Sequence, residues 1–203
     1  FIRKMNVSQY LLNKGFTNFE GNCSTCIPEM QLLAALTQTV DNKPINVMEI
    51  GFNAGNSAEV FLRNNKNLTL TSFDIGEHDY VTAAKSYIDD RYPGRHTLIL
   101  GDSTVTVPEF SKNNDTKFDV IFIDGGHLYE VAKADMENCY HLANKDTVVI
   151  FDDVVYINSM QDWWNIGPTN VWNEFKKENK VIEIDKKVFN KGVGVAYGKY
   201  NFE

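Results

Sequence analysis

Four side chains in the second half of the chain are of the kinds that handle a metal ion and a proton. They are Asp124 and His127, in the run IDGGHLYE, and Asp152 and Asp153, in VVIFDDV. Three carboxylates at one place repel one another, and a hard divalent cation removes that conflict. Carboxylates plus water suit Mg²⁺, or Mn²⁺. His127 follows Asp124 after two glycines, Gly125 and Gly126, which let the chain turn sharply. A neutral imidazole is a good general base near neutral pH, so His127 is the candidate to take a proton from an acceptor hydroxyl. Alone it would read as a helix cap or a surface residue; the acids around it argue for catalysis.

A second group lies upstream, in VMEIGFNAGNSAEV, residues 47–60. Val47, Met48 and Ile50 read as a buried strand, Gly51 and Gly55 bracket a tight loop, and a helix starts near Ser57. Glycines let a ligand approach the backbone, and the free N–H groups of a helix start face it. The pattern is Glu49-x-Gly51-x-x-x-Gly55, without the third glycine of the dinucleotide fingerprint G-x-G-x-x-G. An acid two residues before the first glycine suits a cationic ligand better than a pyrophosphate. Further on, Asp74 in LTSFDIG can accept both hydroxyls of a ribose, and Asp102 and Ser103 in LILGDS are placed to meet an adenine edge.

These residues need a scaffold that gathers them, and the apolar pattern supplies one. Short runs rich in Val, Ile, Leu and Phe predict strands over 45–51, 68–74, 96–101, 118–124 and 146–152. Helices are expected between them, over 56–66, 80–91 and 128–143, the last with the stripe Ala132, Met136, Cys139 and Ala143. Segment 103–114 is broken by Pro108. This alternation means a parallel, doubly wound sheet, whose ligands bind beyond the carboxyl ends of the strands. A single strand ending in Asp is an ordinary turn; four of the five ending so is the signature of a binding site.

Ahead of the sheet, a modest helix is expected over 2–14, stopped by Gly15, then a loop over 16–27 and an amphipathic helix over 28–41 with Pro28 first. After it comes an irregular excursion, 155–168, and a helix over 170–179 capped by Thr169. Strands over 181–184 and 192–197 are joined by too few residues for a crossover, so they should be antiparallel. Trp163 and Trp164 lie in the excursion, and with Tyr129 they are candidates for the wall of an acceptor site; the rival reading makes them anchors of the loop.

The glycine corner resembles motif I of class I S-adenosylmethionine-dependent methyltransferases. The run IDGGHLYE followed one helix later by FDDV narrows the resemblance to metal-dependent O-methyltransferases, over residues 45–155. The catechol type carries lysine where His127 stands; the branch acting on sugars of antibiotics and glycans carries histidine. The resemblance implies a Rossmann-like α/β fold, a parallel central sheet with an antiparallel C-terminal strand pair and helices on both faces. Residues 1–203 would form one domain: a helical segment 1–44, a cofactor-binding core 45–154, and an acceptor loop with C-terminal strands 155–203. Carried over, Asp124, Asp152 and Asp153 would hold the metal and His127 would be the base. S-adenosylmethionine would lie against Glu49, Gly51, Phe52, Asn53, Ser57, Asp74, Ile75, Asp102, Ser103 and Asp124. The implied activity is O-methylation of a sugar or glycan hydroxyl, with a catechol-type small-molecule acceptor as the alternative and an NAD-binding oxidoreductase behind it.

Composition sets the outer bounds. At 203 residues the chain suits one core, and 43% hydrophobic residues are those of a globular protein. A net charge of −7 without a Lys/Arg stripe argues against nucleic acid or an anionic membrane surface as partner. No apolar run is long enough to span a bilayer. Cys23 and Cys26 form a C-x-x-C without the second pair that a zinc site wants, which predicts reduced thiols and a cytoplasmic protein. The chain begins with Phe1, so it reads as one domain of something longer or a trimmed form, able to associate with further copies or domains.

Overall fold

The computed structural model describes residues 5–20, 23–38, 43–190 and 192–203. Among them the chain runs α1 (Val7–Asn13), α2 (Ile27–Leu36), β1 (Ile45–Ile50), α3 (Asn56–Asn64), β2 (Leu68–Asp74), α4 (Val81–Arg91) and β3 (His96–Leu100). It continues with α5 (Ser103–Asn113), β4 (Val120–Ile123), α6 (Tyr129–Tyr140), β5 (Val148–Asp152), α7 (Ile166–Lys177), β6 (Val181–Asn190) and β7 (Val193–Tyr200). Single 3₁₀ turns stand at Cys23–Thr25 and Asn158–Met160.

All seven strands form one sheet in the order β3-β2-β1-β4-β5-β7-β6. The first five pair in parallel, and β7 runs antiparallel to both β5 and β6. The expected Rossmann-like sheet with an antiparallel C-terminal pair is therefore what the chain adopts. Successive strand residues face opposite sides, and the central strands are apolar at both parities. Val47, Leu70 and Phe122 pack with Val60, Phe61, Val81 and Ala84 under α3 and α4. Met48, Ile121 and Phe151 pack with Val107, Met136, Val171 and Trp172 under α5, α6 and α7. The stripe Ala132, Met136, Cys139 and Ala143 is buried as its spacing predicts. The strand order reverses between β1 and β4, and at such a switch point a crevice opens beyond the strand ends.

Several boundaries differ from expectation. α1 starts at Val7 because Asn6 caps it, accepting from Gln9 N at 2.8 Å; residues 1–4, Ile2 among them, lie outside the described residues. Gly15 does end it, at φ +96°. α2 stops at Leu36, where the Thr37 hydroxyl turns back to the Leu33 carbonyl; Val40, Asp41 and Asn42 lie outside the described residues, as does Gly21. Segment 103–113 is helical in spite of Pro108: Asp102 caps it, and fully buried Val107 fastens it to the sheet. Thr169 is not a cap but lies inside α7, which begins at Ile166. Its hydroxyl accepts from Val155 N at 2.9 Å and donates to the Asp153 carbonyl at 3.2 Å, so it fixes the chain leaving β5. β6 extends to Asn190, taking up most of the predicted connection.

Candidate active site

The crevice at the switch point is walled by the loop that follows β1. Gly51 sits there at φ +96°, and a Cβ on it would lie 1.9 Å from the Asp124 carbonyl oxygen. Only glycine lets the two strand ends approach this closely. Cys23, Gly51, Phe52, Asn53, Ala54, Asn56, Ser57 and Asp124 line the resulting pocket. Asn53 takes a left-handed turn (φ 47°) and donates its N–H to Asp74 Oδ2 at 2.7 Å. The other Asp74 oxygen accepts from Gly76 N at 2.7 Å. That carboxylate is held rigid from two sides while keeping lone pairs for hydroxyl donors.

The predicted cofactor residues divide into those that face the pocket and those that support it. Glu49 is fully buried and accepts from Ser57 Oγ at 2.8 Å and Ser72 Oγ at 2.6 Å. Burial pushes its carboxyl up to about 7, the two serine bonds pulling the other way. Glu49 thus holds Ser57, which lines the pocket. Phe52 contributes backbone: its ring is buried and stacked on His96 at 5.1 Å. Asp102 is exposed and caps α5; the Thr104 hydroxyl at 2.7 Å, and then Thr104 N at 2.9 Å, donate to one of its oxygens and hold its carboxyl below the usual range. Ser103 opens the same helix. Ile75 is 58% exposed, and Leu100, whose side chain touches Gly76, is 56% exposed on the adjacent strand end. Apolar side chains left in water beside Asp74 offer a flat ring something to lie against; Leu100 was not foreseen, because a strand residue's exposure depends on what covers the sheet.

The acids gather one strand further on. β4 and β5 are neighbours with Ile123 opposite Phe151, so Asp124 and Asp152 follow the same rim. Consecutive strand residues should diverge, but Asp153 adopts a left-handed backbone (φ 59°), which breaks the alternation at the end of β5. One donor atom each from Asp124, His127 and Asp153 lie within 4.8 Å of one another. His127 Nε2 stands 3.0 Å from Asp153 Oδ2. Asp152 is hydrogen-bonded to Asp124, and its Oδ1 is buried without a partner among the described residues.

The electrostatics follow from this crowding. Burial pushes the Asp124 carboxyl well up, and the charges of Asp153, Glu29 and Glu49 push further. Asp152 is raised by burial and then by Glu29, Asp124 and Asp153. Asp153 is raised by burial, with His127 pulling it back. The His127 imidazole is raised by its bond to Asp153, against the effect of burial. Asp124 and Asp153, two hard carboxylates within reach of one point beside the orphaned Asp152 oxygen, fit a divalent cation, with the His127 imidazole against Asp153; Asp152, expected as a third ligand, lies outside the converging group.

Of the acceptor candidates, Trp163 is 73% exposed, and its ring stands edge-on to His127 at 6.1 Å between centroids. Trp164 is half-buried and lies against Gly192, at the turn between β6 and β7. The Tyr129 hydroxyl is committed to Glu174 of α7. Gly167 presses on the loop that carries His127, since a Cβ there would lie 2.1 Å from the His127 carbonyl oxygen. Two buried acids were not foreseen. Glu29 of α2 is 3% exposed, and burial, then the charge of Asp153, lifts its carboxyl to about 7. An acid in a first helical turn is usually there for the helix dipole, which hides this one in the sequence. Asp135 of α6 lies beneath Gly125; burial lifts it to about 7, with the Ser103 hydroxyl easing it.

Residues 48–154 match the model of a family described as a methyltransferase domain. No curated protein sequence matches the chain. Among solved structures, the chain is similar to an O-methyltransferase from Bacillus cereus in complex with SAH. The identity is 20%, with 96% of this chain and 89% of that one covered at a TM-score of 0.74. TomG, an O-methyltransferase of tomaymycin synthesis from Streptomyces achromogenes solved with SAM, aligns at 15% identity, 96% and 87% coverage, and a TM-score of 0.72. CalS11, a TDP-rhamnose 3'-O-methyltransferase of calicheamicin biosynthesis, aligns at 20% identity, 95% and 86% coverage, and a TM-score of 0.65. At these identities the likeness is one of fold.

Proposed function

Because the chain belongs to the methyltransferase-domain family, we propose that it is an O-methyltransferase that uses S-adenosylmethionine and a divalent cation to methylate a hydroxyl of a sugar or glycan. The observation that carries this reading is the approach of Asp124, His127 and Asp153 to within 4.8 Å at the edge of the glycine-walled pocket. The nicotinamide alternative falls with the family.

The chain's own residues supply positioning and a proton path. Asp74, fixed by Asn53 and Gly76, receives the ribose hydroxyls. The apolar pair Ile75 and Leu100 flanks the base, and the pocket wall from Gly51 to Ser57 receives the amino-acid end. Bound there, S-adenosylmethionine supplies an electrophilic methyl group. Asp124 and Asp153, with Asp152 beside them, would hold Mg²⁺ or Mn²⁺, which would supply positive charge beside the acceptor hydroxyl and make it more acidic. His127 is the base. Its Nε2–H donates to Asp153, which leaves Nδ1 to take the hydroxyl proton. With that proton held on His127, the acceptor oxygen would be placed to receive the methyl group, and S-adenosylhomocysteine would be the product that leaves. Alignment of the two reactants is worth up to ~7–11 kcal/mol.

His127 in the place of lysine, and the sugar acceptor in the name of CalS11, support the sugar reading. The exposed face of Trp163 suits a flat aryl ring as well as a sugar, which keeps a catechol-type acceptor as the second reading. No helix among the described residues is long and apolar enough to cross a membrane. The cysteines are free thiols, which suits a reducing compartment, and we place the reaction in the cytoplasm. The test is methyl transfer from labelled S-adenosylmethionine to a panel of deoxyhexoses, glycosides and catechols. Sugar methylation that disappears in His127→Ala supports the reading; transfer to catechol at a rate indifferent to His127 overturns it.

A further inference from the structure

Among the described residues, the pocket contains one buried donor with nothing to donate to. Asn56, the first residue of α3, is 8% exposed. Its Oδ1 accepts from the Ser8 hydroxyl of α1 at 2.7 Å. Its Nδ2 is buried without a partner among the described residues, and Asn56 lines the pocket. Burying an amide donor unpaired is costly, and native chains rarely do it without a reason. The Ser8 bond supplies one: with the carbonyl oxygen occupied, the amide must present its NH₂ group.

The charge around it says what should arrive. Asp124 lines the same pocket and Asp74 stands next to it, so this corner welcomes the cationic parts of the cofactor and repels its carboxylate. The start of α3 is the exception. There Gly55 leaves the helix without a side-chain cap, so its first N–H groups are free, and the Asn56 amide stands among them. Ser57 is not available for this task, because its hydroxyl donates to Glu49.

We propose that the Asn56 side-chain amide binds the α-carboxylate at the amino-acid end of the cofactor, and that α1, through Ser8, holds the amide in its binding orientation. The proposal rests on the S-adenosylmethionine reading above. It makes the N-terminal helix part of the cofactor site. α1 is already fastened to this corner: Val7 N donates to Glu59 Oε2 of α3 at 2.9 Å, and Arg91 of α4 donates to the Met5 carbonyl at 2.8 Å.

The experiment compares two ligands by calorimetry. S-adenosylhomocysteine carries the carboxylate; 5′-methylthioadenosine has the same nucleoside thioether with the amino-acid end removed. Asn56→Ala should weaken S-adenosylhomocysteine by about 10-fold or more while shifting methylthioadenosine by less than about 2-fold. Ser8→Ala should show the same selectivity with a smaller loss, about 2–5-fold, because the amide is then free to turn. Asn56→Asp, which sets like charges against each other, should lose more than the alanine variant. It also carries the comparison if Asn56→Ala does not fold. Equal losses on both ligands, or none, would overturn the proposal while leaving the cofactor reading standing. A folded wild-type protein that binds neither ligand would overturn both.

Discussion

The two sides of the crevice differ in what partners their acids. On the β1–β2 side every acid is answered: Asp74 by two backbone N–H groups, Glu49 by two serines. On the β4–β5 side the acids answer mainly to one another. Asp124, Asp152 and Asp153 are all pushed up by burial, and Asp152 Oδ1 has no partner among the described residues. One side is finished by the fold, preorganised for a ligand of fixed shape. The other is left unfinished, and an ion from outside would complete it.

The largest effect of that contrast lies on the unfinished side. Exhaustive chelation should abolish turnover and Mg²⁺ should restore it, read by transfer of labelled methyl; full activity after chelation would make the acids structural. His127→Ala should follow, costing about 10²–10⁴ in turnover with S-adenosylhomocysteine affinity nearly unchanged. In the absence of metal the His127 imidazole is raised above its ordinary 6.5 by Asp153, so its titration, followed by NMR, should have an inflection above that value. On the finished side, Asp74→Ala should weaken S-adenosylhomocysteine by ~1.5–3 kcal/mol, roughly 10–100-fold in calorimetry, without moving the pH profile of turnover.

The smallest effect is thermodynamic. Glu29 and Glu49, ordinarily near 4.5, and Asp135, ordinarily near 3.8, are all lifted to about 7 in the folded protein. Between those values the folded state binds more protons than the unfolded one. The metal-free protein should therefore lose stability as pH rises from about 4.5 to about 7. His127 acts in the same direction; His96, lowered to about 4 by burial, acts in the other and only as pH falls below 6.5. The melting midpoint should rise by a few degrees between pH 7.5 and 5.5, at ~2–4 °C per kcal/mol for a chain of this size. Mg²⁺ should flatten the trend, since it favours the ionised carboxylates. A midpoint that falls over this range without metal would mean that burial does not hold these three carboxyls protonated in the folded protein.

The sheet was legible because buried parallel strands are short apolar runs, and each ended in a residue that could not be core. The glycine at 51 was legible for the same reason, although its contact with the Asp124 carbonyl was not. What escaped depends on tertiary approach. Thr169 looks like a cap by type and place, yet its hydroxyl is claimed by Val155 and Asp153 across the fold. Glu29 and Asn56 sit on helix starts, where an acid or an amide is ordinary, and only the packing of α1 and α2 turns them inward. Pro108 suggested a break that the anchorage of Val107 overrides. Trp163 and Trp164 are identical in type and adjacent, and no sequence signal separates the exposed one from the anchor.

The left-handed backbone at Asp153 has a consequence for how this chain tolerates mutation. A non-glycine residue there carries strain on the order of 1 kcal/mol, and its carboxylate adds repulsion at the end of β5. Glycine at 153 would relieve both at once. A library of variants sorted only for surviving heat should therefore enrich Asp153→Gly, and the clones recovered should be sturdy and inert. Among natural variants, where turnover is also under selection, that exchange should be rare. Position 153 is where durability and usefulness select opposite residues, and whichever residue stands there reports which of the two the lineage has kept.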